Sequence, residues 1–212
     1  MRHRRKQWQT DILEKDWPFY FKNPSLLSGQ WNDNHYEAVH VEIGSGKGQY
    51  IVEMAKLYPN KLFIGIEMMP LIGSYILKKL SVENLNNVRI IIDNADNIKE
   101  WFEAGEIDVI HLNFSDPWPK KSHAKRRLTY PTYLNVYKHL LKNHGQIHQK
   151  TDNIGFFEYS VEQLSQNKFV CLDFSADFRR NDHPEDAETE YEERFMGFNQ
   201  PIYRAVWSYS HD

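Results

Sequence analysis

The sequence predicts an α/β fold with a doubly wound, mostly parallel sheet of about seven strands and helices on both faces. Four apolar, β-branched runs at 39–43, 62–66, 88–92 and 109–114 predict strands buried on both faces, because they lack an apolar–polar alternation. Segments with helical periodicity lie between these runs. Such regular alternation of strand and helix is typical of an open sheet covered by helices on each side.

The helices are located by apolar residues that repeat every three or four positions. Such stripes lie at 51–55, 72–80 and 157–164, and the first of these helices should end near Pro59. A further helix is predicted at 130–143, with Asn143-His144-Gly145 as its stop signal. Three weaker strands are predicted late in the chain, at 146–150, 169–174 and 203–209.

A single domain accounts for most of the chain. Its 212 residues fit one hydrophobic core. We predict an α/β domain at 37–212, preceded by a basic N-terminal extension at 1–36. This extension is rich in aromatic residues, which predicts that it packs on the domain: Trp8, Trp17, Phe19, Tyr20, Phe21 and Trp31.

Composition narrows the classes of protein. The chain has no apolar stretch near the roughly 20 residues that cross a bilayer, and we predict a cytoplasmic protein without membrane contact. Cys171 is the only cysteine in the sequence, so no intramolecular disulfide can form. We predict that Cys171 is a buried strand residue. No histidine spacing suggests a metal site.

The charge distribution is more informative than the net charge of −3. Basic residues cluster at 2–6 and again at 120–127, whereas acidic residues concentrate at 185–193. A phosphate-binding surface needs only local positive potential, so the acidic total does not exclude RNA. Charge alone leaves a solvated surface equally open.

The first predicted strand ends in the pattern Glu42-x-Gly44-x-Gly46-x-Gly48. Glycines at this point let the backbone approach a ligand closely, beyond the carboxyl ends of parallel strands. Gly-x-Gly also suits dinucleotide binding. The dehydrogenase pattern Gly-x-Gly-x-x-Gly is not met, because the third glycine comes one residue early.

Polar residues also end the next two strands. Glu67 can accept hydrogen bonds from both ribose hydroxyls of an adenosine, as acidic residues do in NAD enzymes as well. Asn94, which follows the third strand, can accept a bond from an adenine amino group, or can be an ordinary turn residue. Together with the glycine turn, these residues predict an adenosine site.

A stiff loop follows the fourth strand, since two prolines flank a tryptophan in Asp116-Pro117-Trp118-Pro119. Here the chain closely resembles the bacterial tRNA (guanine-N7-)-methyltransferase family, whose members are class I enzymes with a Rossmann-like sheet. The matching segments span nearly the whole chain: 42–48, 65–67, 112–121, 125–129, 150–153, 189–192 and, in outline, 197–204. The block Ser-Asp-Pro-Trp-Pro-Lys-Lys at 115–121 is the most specific of them.

The resemblance implies an activity and a set of site residues. The expected reaction transfers a methyl group from S-adenosylmethionine to N7 of a tRNA guanine at variable-loop position 46. The enzyme is expected to be a monomer or a homodimer. Asp116 is the implied catalytic residue. Donor binding is implied for Glu42, Gly44, Gly46, Glu67, Asn94, Ala95 and Asp116, with Asn94 replacing the aspartate of many members. Substrate binding is implied for Lys120, Asp152, Thr189, Glu190, Tyr191 and Glu192, and RNA contact for Ser122, His123, Ala124, Lys125, Arg126 and Arg127.

Three other functions stay open at this stage. An amino-group methyltransferase acting on nucleic acid would use a similar Asp-Pro loop, although the Lys-Lys continuation and Thr-Glu-Tyr-Glu at 189–192 argue against it. A non-catalytic RNA-binding protein with a vestigial donor site is disfavoured by intact Glu42, Glu67 and Asp116. An NAD-dependent oxidoreductase is disfavoured by the glycine spacing.

Overall fold

Seven strands form one sheet in a computed structural model that describes residues 6–32, 35–196 and 200–211. In chain order the strands are β1 Val39–Ile43, β2 Leu62–Ile66, β3 Val88–Ile91, β4 Ile107–Asn113, β5 Leu141–Thr151, β6 Val170–Ser175 and β7 Tyr203–Ser208. Their spatial order is β3-β2-β1-β4-β5-β7-β6. Neighbours among β1 to β5 are parallel, and β7 is antiparallel to both β5 and β6. The predicted mostly parallel sheet is therefore confirmed.

Helices pack on both faces of this sheet. They are α1 Gln7–Glu14, α2 Gln49–Leu57, α3 Pro70–Leu80, α4 Pro131–Leu140, α5 Ile154–Gln166 and α6 Glu190–Met196. One hydrophobic cluster joins side chains of α2 and α3 to one face of the sheet, and a second joins α4 and α5 to the other. Every residue of β1 and β2 is buried, as the continuous apolar runs predict. No helix in the described ranges is long and apolar enough to cross a bilayer.

The described part of the N-terminal segment contacts the sheet and α3. The Gln9 side chain donates to the Leu71 carbonyl at 3.0 Å and to the Ser74 hydroxyl at 3.1 Å. Residues 19–21 run beside β3, where the Ile90 amide donates to the Phe19 carbonyl and the Phe21 amide donates to the Ile90 carbonyl. The boundary at 36/37 stays a prediction. The basic cluster at 2–6 falls, except for Lys6, outside the described residues, as do 197–199.

The junction between α4 and β5 differs from the prediction. The helix ends at Leu140, and β5 begins at once with Leu141. Asn143-His144-Gly145 forms an irregularity inside that strand, because pairing with β4 shifts between Leu141 and Gln146. His144 has a φ of 62°, and a Cβ on Gly145 would lie 2.9 Å from the Lys142 carbonyl oxygen. The proposed helix stop was wrong, since Gly and a left-handed residue also suit a β-bulge.

The burial predicted for Cys171 was also wrong. Cys171 lies in a strand, but β6 is an edge strand, and its side chains from Val170 to Phe174 are exposed. Apolar residues on such a strand look like core residues in sequence, because hydrophobicity does not reveal whether a strand is central or at the edge.

Candidate active site at the carboxyl edge of the sheet

A cleft of about 800 Å³ opens beyond the carboxyl ends of β1 to β4. Residues at the end of each of these strands, or directly after it, form the wall. Five of the predicted donor-binding residues line this cleft: Gly44, Glu67, Asn94, Ala95 and Asp116. Their convergence follows from the parallel topology, which brings the carboxyl ends of neighbouring strands to one edge.

The glycine turn after β1 is held by β2. The amides of Gly44 and Ser45 donate to the Ile66 carbonyl at 2.8 and 3.0 Å. Gly44 and Gly46 have φ of 85° and 57°, in the region that favours glycine. A Cβ on either residue would meet no atom within 4 Å. The turn therefore leaves open space beside its backbone, into which a ligand fits.

Glu67 is the buried carboxylate at the end of β2. Its two oxygens accept from the amides of Met69 at 2.8 Å and Gly46 at 2.9 Å. Burial raises the pKa of this carboxyl, while those amides act in the opposite direction. Each carboxylate oxygen can accept a second bond, so Glu67 remains able to receive ribose hydroxyls. Gly46 itself is not on the cleft wall and acts there through Glu67.

Asn94 has the turn role predicted for it, and its adenine-binding role stays a prediction. It caps the short 3-10 helix Ala95–Glu100, since its Oδ1 accepts from the Asp96 amide at 3.1 Å. Its amide nitrogen donates to the Asp96 carboxylate at 2.9 Å, and the Tyr133 hydroxyl donates to the same carboxylate. A second lone pair on Oδ1 remains for a ligand on the exposed side.

Glu42 lies beneath the cleft rather than on its wall. Its Oε1 accepts from the Asn113 amide at 2.9 Å, and Asn113 lines the cleft. Within the described chain, Glu42 Oε2 and Asn113 Oδ1 are buried without a hydrogen-bond partner. Burial raises the pKa of Glu42 to about 7, against the smaller lowering effect of its bond to Asn113. Two unpaired buried acceptors suit a cationic donor such as an ammonium group.

Asn113 was not singled out as a site residue by sequence. The available signal was its position as a polar residue at the end of an otherwise apolar strand, the same signal that identified Glu42.

The loop at 114–120 carries Asp116 to the cleft wall. Phe114 and Trp118 have φ of 50° and 41°, which is unusual for residues other than glycine. Arg127 holds the loop, because its Nε donates to the Pro117 carbonyl and its Nη2 to the Trp118 carbonyl, both at 3.0 Å. Asp116 itself is exposed. Its side chain thus faces the cleft from a firmly positioned backbone.

The basic segment forms the 3-10 helix Lys121–Arg126 at the rim of the cleft. Lys125 and Arg126 line the cleft, and the Arg126 guanidinium lies 4.8 Å from the centre of the Trp118 ring. His123 contacts the same ring edge-to-face. Lys120 and Ser122 are exposed and Ala124 is half-buried. RNA contact by residues 122–127 and substrate binding by Lys120 stay predictions. Arg127 differs from its neighbours because its guanidinium already binds the loop.

Thr189 and Glu192 form a capping box at the start of α6. The Glu192 amide donates to Thr189 Oγ1 at 3.0 Å, and the Thr189 amide donates to Glu192 Oε2 at 2.7 Å. Glu192 is fully buried and also pairs with Lys150 and Arg179. The substrate role implied for Glu192 stays a prediction, and both of its oxygens are engaged inside the protein. Thr189 and Glu192 position α6.

The other predicted substrate residues are more accessible. Glu190 pairs with Lys47 at 3.1 Å, and the Tyr191 ring lies 5.1 Å from that of Phe114. Asp152 follows β5 and is half-buried. Their binding roles stay predictions. Among the described residues, no group of three or more His, Cys, Asp or Glu side chains is arranged to hold a metal ion.

Known proteins are similar to this chain in sequence, and others are similar in fold. A family model described as "Putative methyltransferase" matches residues 36–205. A tRNA (guanine-N(7)-)-methyltransferase of Listeria monocytogenes serotype 4b is 46% identical over 209 residues, which cover 96% of each chain. The protein of that name from Geobacillus kaustophilus is 44% identical over 206 residues, covering 96% of this chain and 95% of its own.

Solved structures show the same fold at low identity. A 16S rRNA (adenine(1408)-N(1))-methyltransferase from Catenulisporales acidiphilia, solved with its cosubstrate SAM, has a TM-score of 0.63 and 10% identity, over 91% of this chain and 94% of that one. A precorrin-6y C5,15-methyltransferase from Geobacter metallireducens has a TM-score of 0.57 and 15% identity, over 88% and 86% of the two chains. The sheet is thus that of a class I methyltransferase.

Proposed function

The chain belongs to the tRNA (guanine-N(7)-)-methyltransferase family, and we propose that it methylates N7 of a guanine in tRNA with S-adenosylmethionine as the donor. Variable-loop position 46 is the target that the family resemblance implies. One observation carries the proposal: Glu67, Asn94 and Asp116 converge on one cleft, in a chain 46% identical to a relative with this name.

The cleft has groups that fit each part of the donor. Glu67 would receive the ribose hydroxyls, and Asn94 the adenine amino group. The open glycine turn leaves room for the methionine part, and the unpaired oxygens of Glu42 and Asn113 suit its ammonium group. The donor supplies an electrophilic methyl group on a sulfonium centre.

Guanine N7 carries an in-plane lone pair and no proton, so the reaction needs positioning more than a general base. Methylation leaves the purine ring cationic. The Asp116 carboxylate, exposed on the cleft wall, would stabilise that charge as it develops or accept hydrogen bonds from the amino and imino N–H groups of guanine. In this proposal Asp116 stabilises the developing positive charge and orients the guanine.

The rim of the cleft supports tRNA as the substrate. Lys120, Lys121, Lys125 and Arg126 are exposed, and two of them, Lys125 and Arg126, line the cleft. N7 lies in the deep major groove of an RNA helix, which side chains reach poorly, so the target guanine must be exposed or extruded. Phosphate contacts from these residues should weaken as salt rises. A monomer or homodimer and a cytoplasmic location stay predictions.

Incubation with labelled S-adenosylmethionine and unmodified tRNA tests the proposal. We expect N7-methylguanosine after nuclease digestion and mass spectrometry, and none from tRNA with adenine at position 46. Formation of N6-methyladenosine or another amino-methylated base instead would favour the alternative methyltransferase.

Asp116→Asn tests the role of charge, because it preserves the shape of the side chain. We expect kcat to fall by roughly a hundredfold, in the range lost with a single electrostatic group in an active site. Asp16→Asn removes an exposed carboxylate elsewhere and should leave kcat unchanged. Wild-type turnover by Asp116→Asn would rule out electrostatic stabilisation by this residue.

A further inference from the structure

Two aromatic rings from distant parts of the chain meet beside the cleft. Phe114, at the end of β4, lines the cleft two residues before Asp116. The Tyr191 ring, on α6, lies 5.1 Å from the Phe114 ring at an interplanar angle of 34°. Tyr191 remains 44% exposed. The pair thus presents aromatic surface next to the predicted catalytic residue. A ring that only packed in the core would be buried, and Tyr191 is not.

Lys150 holds the two rings in place from opposite ends. Its carbonyl accepts from the Phe114 amide at 2.8 Å and so fixes the residue whose φ is 50°. Its side chain, only 2% exposed, donates to Glu192 at 3.0 Å, one residue after Tyr191. One residue therefore ties the start of the Asp116 loop to α6.

Lys150 belongs to a buried cluster of two cations and two anions. Lys150 and Arg179 each pair with Asp186 at 2.7 Å and with Glu192 at 3.0 Å. Burying four charges gains little stability, because desolvation offsets their attraction. Such a cluster does fix geometry, since loss of one member leaves a partner buried and unpaired. Its placement between β5 and α6 fits a rigid frame for the aromatic pair.

We propose that Phe114 and Tyr191 form the surface on which the target guanine stacks during methyl transfer. This inference rests on the proposed function, adds Phe114 to the residues that receive the base and gives Tyr191 a stacking role. Every purine has a π-face that stacks on aromatic rings. An aromatic face also attracts a cation, so the stack strengthens as the methylated ring becomes positive. Phe114 and Tyr191 therefore favour the transition state over the neutral substrate.

Steady-state kinetics with unmodified tRNA test this role. For Tyr191→Leu we expect kcat to fall roughly tenfold, and by a larger factor than KM rises. Tyr191→Phe keeps the ring and should stay within about twofold of wild type. Because Tyr191 is exposed, these variants should fold even if Phe114→Leu, for which we expect a similar loss, does not.

Two controls separate the outcomes. Phe174→Leu removes an exposed ring on β6, away from the cleft, and should leave kcat unchanged. The Kd for S-adenosylmethionine, measured by calorimetry, should change less than twofold in Tyr191→Leu. Wild-type kcat in Tyr191→Leu would overturn the stacking role while leaving N7-methylguanosine as the product. Absence of that product from the wild-type enzyme would instead refute the proposed function.

Discussion

At the scale of single residues, the contacts that a side chain already makes decide what it can still bind. Arg126 and Arg127 are neighbours with the same charge, yet Arg127 donates to two loop carbonyls and Arg126 lines the cleft. Glu67 reaches the cleft, whereas Glu42 lies beneath it and acts together with Asn113. Sequence resemblance assigned both members of each pair to the same class of contact.

We expect the raised pKa of Glu42 to make donor binding pH-dependent. With a pKa of about 7, Glu42 is mostly protonated at pH 6 and mostly ionised at pH 8. An ammonium group pairs only with the ionised form, so binding must release this proton. We expect the affinity for S-adenosylmethionine to rise roughly tenfold from pH 6 to pH 8. Calorimetry in buffers of different ionisation enthalpy would measure both the affinity and the proton release.

Glu42→Gln provides the matched comparison, because it retains an acceptor for Asn113 without the charge. Its affinity should be lower at pH 8 and nearly constant between pH 6 and pH 8. If the wild-type protein released no proton on binding S-adenosylmethionine at pH 6, Glu42 would not be the partner of the ammonium group.

At the scale of elements, the loop at 114–120 depends on Arg127 for its shape. The guanidinium donates to the carbonyls of Pro117 and Trp118, and its centre lies 4.2 Å from that of the Tyr159 ring. Two prolines stiffen the loop but cannot fix its tilt against the sheet. The planar guanidinium of Arg127 fixes this tilt because it binds two carbonyls at once, which a lysine ammonium cannot reproduce.

Arg127→Lys should therefore reduce turnover although it preserves the charge. Hydrogen bonds from charged groups are worth about 1.5–3 kcal/mol, so we expect kcat to fall by roughly tenfold to a hundredfold, with little change in KM for tRNA. Arg126→Lys, the adjacent control, should leave kcat nearly unchanged. The opposite pattern, a raised and salt-sensitive KM with normal kcat in Arg127→Lys, would identify Arg127 as a phosphate contact.

Elements were predictable from sequence where local pattern and tertiary position agree. The bounds of β1 and β2 coincide with the predicted apolar runs at 39–43 and 62–66, because both strands are buried on both faces. The prediction failed at the α4–β5 junction and at β6, where bulge geometry and edge position are set by neighbouring strands. The Phe114–Tyr191 pair was equally hidden, since 77 positions of sequence separate its members.

At the scale of the whole molecule, a buried polar chain crosses the sheet and ends near α6. His40 Nδ1 and His111 Nε2 are 2.9 Å apart, and the Tyr50 hydroxyl lies 3.1 Å from His111 Nδ1. Tyr50 in turn donates to Asp186, a member of the buried charge cluster. These contacts are satisfied when both imidazoles are neutral. From the sequence we inferred only that the histidine spacing suggests no metal site. The contact between His40 and His111 depends on the register between β1 and β4, which the sequence does not reveal.

These two histidines, together with His148, predict that acid destabilises the protein. Burial lowers the pKa of His40 to about 3 and that of half-buried His148 to about 4, and it also lowers that of His111. Below pH 6.5 the unfolded chain therefore binds more protons than the native one, and stability falls as pH falls. Glu42 acts in the opposite direction between pH 7 and its unfolded value of 4.5, because its native pKa is raised. Glu67, whose pKa burial also raises, acts in the same direction as Glu42. The three histidines outweigh these two carboxyls.

We expect the free energy of unfolding to decrease by about 2 kcal/mol between pH 6.5 and pH 5.5, since each net proton contributes about 1.4 kcal/mol per pH unit. Urea unfolding across this range measures the slope. His40→Gln should make it shallower by about one proton and Glu42→Gln steeper by about one. A His40→Gln slope equal to that of wild type would mean that His40 titrates alike in the folded and unfolded chain. The buried neutral chain would then not be the source of acid sensitivity.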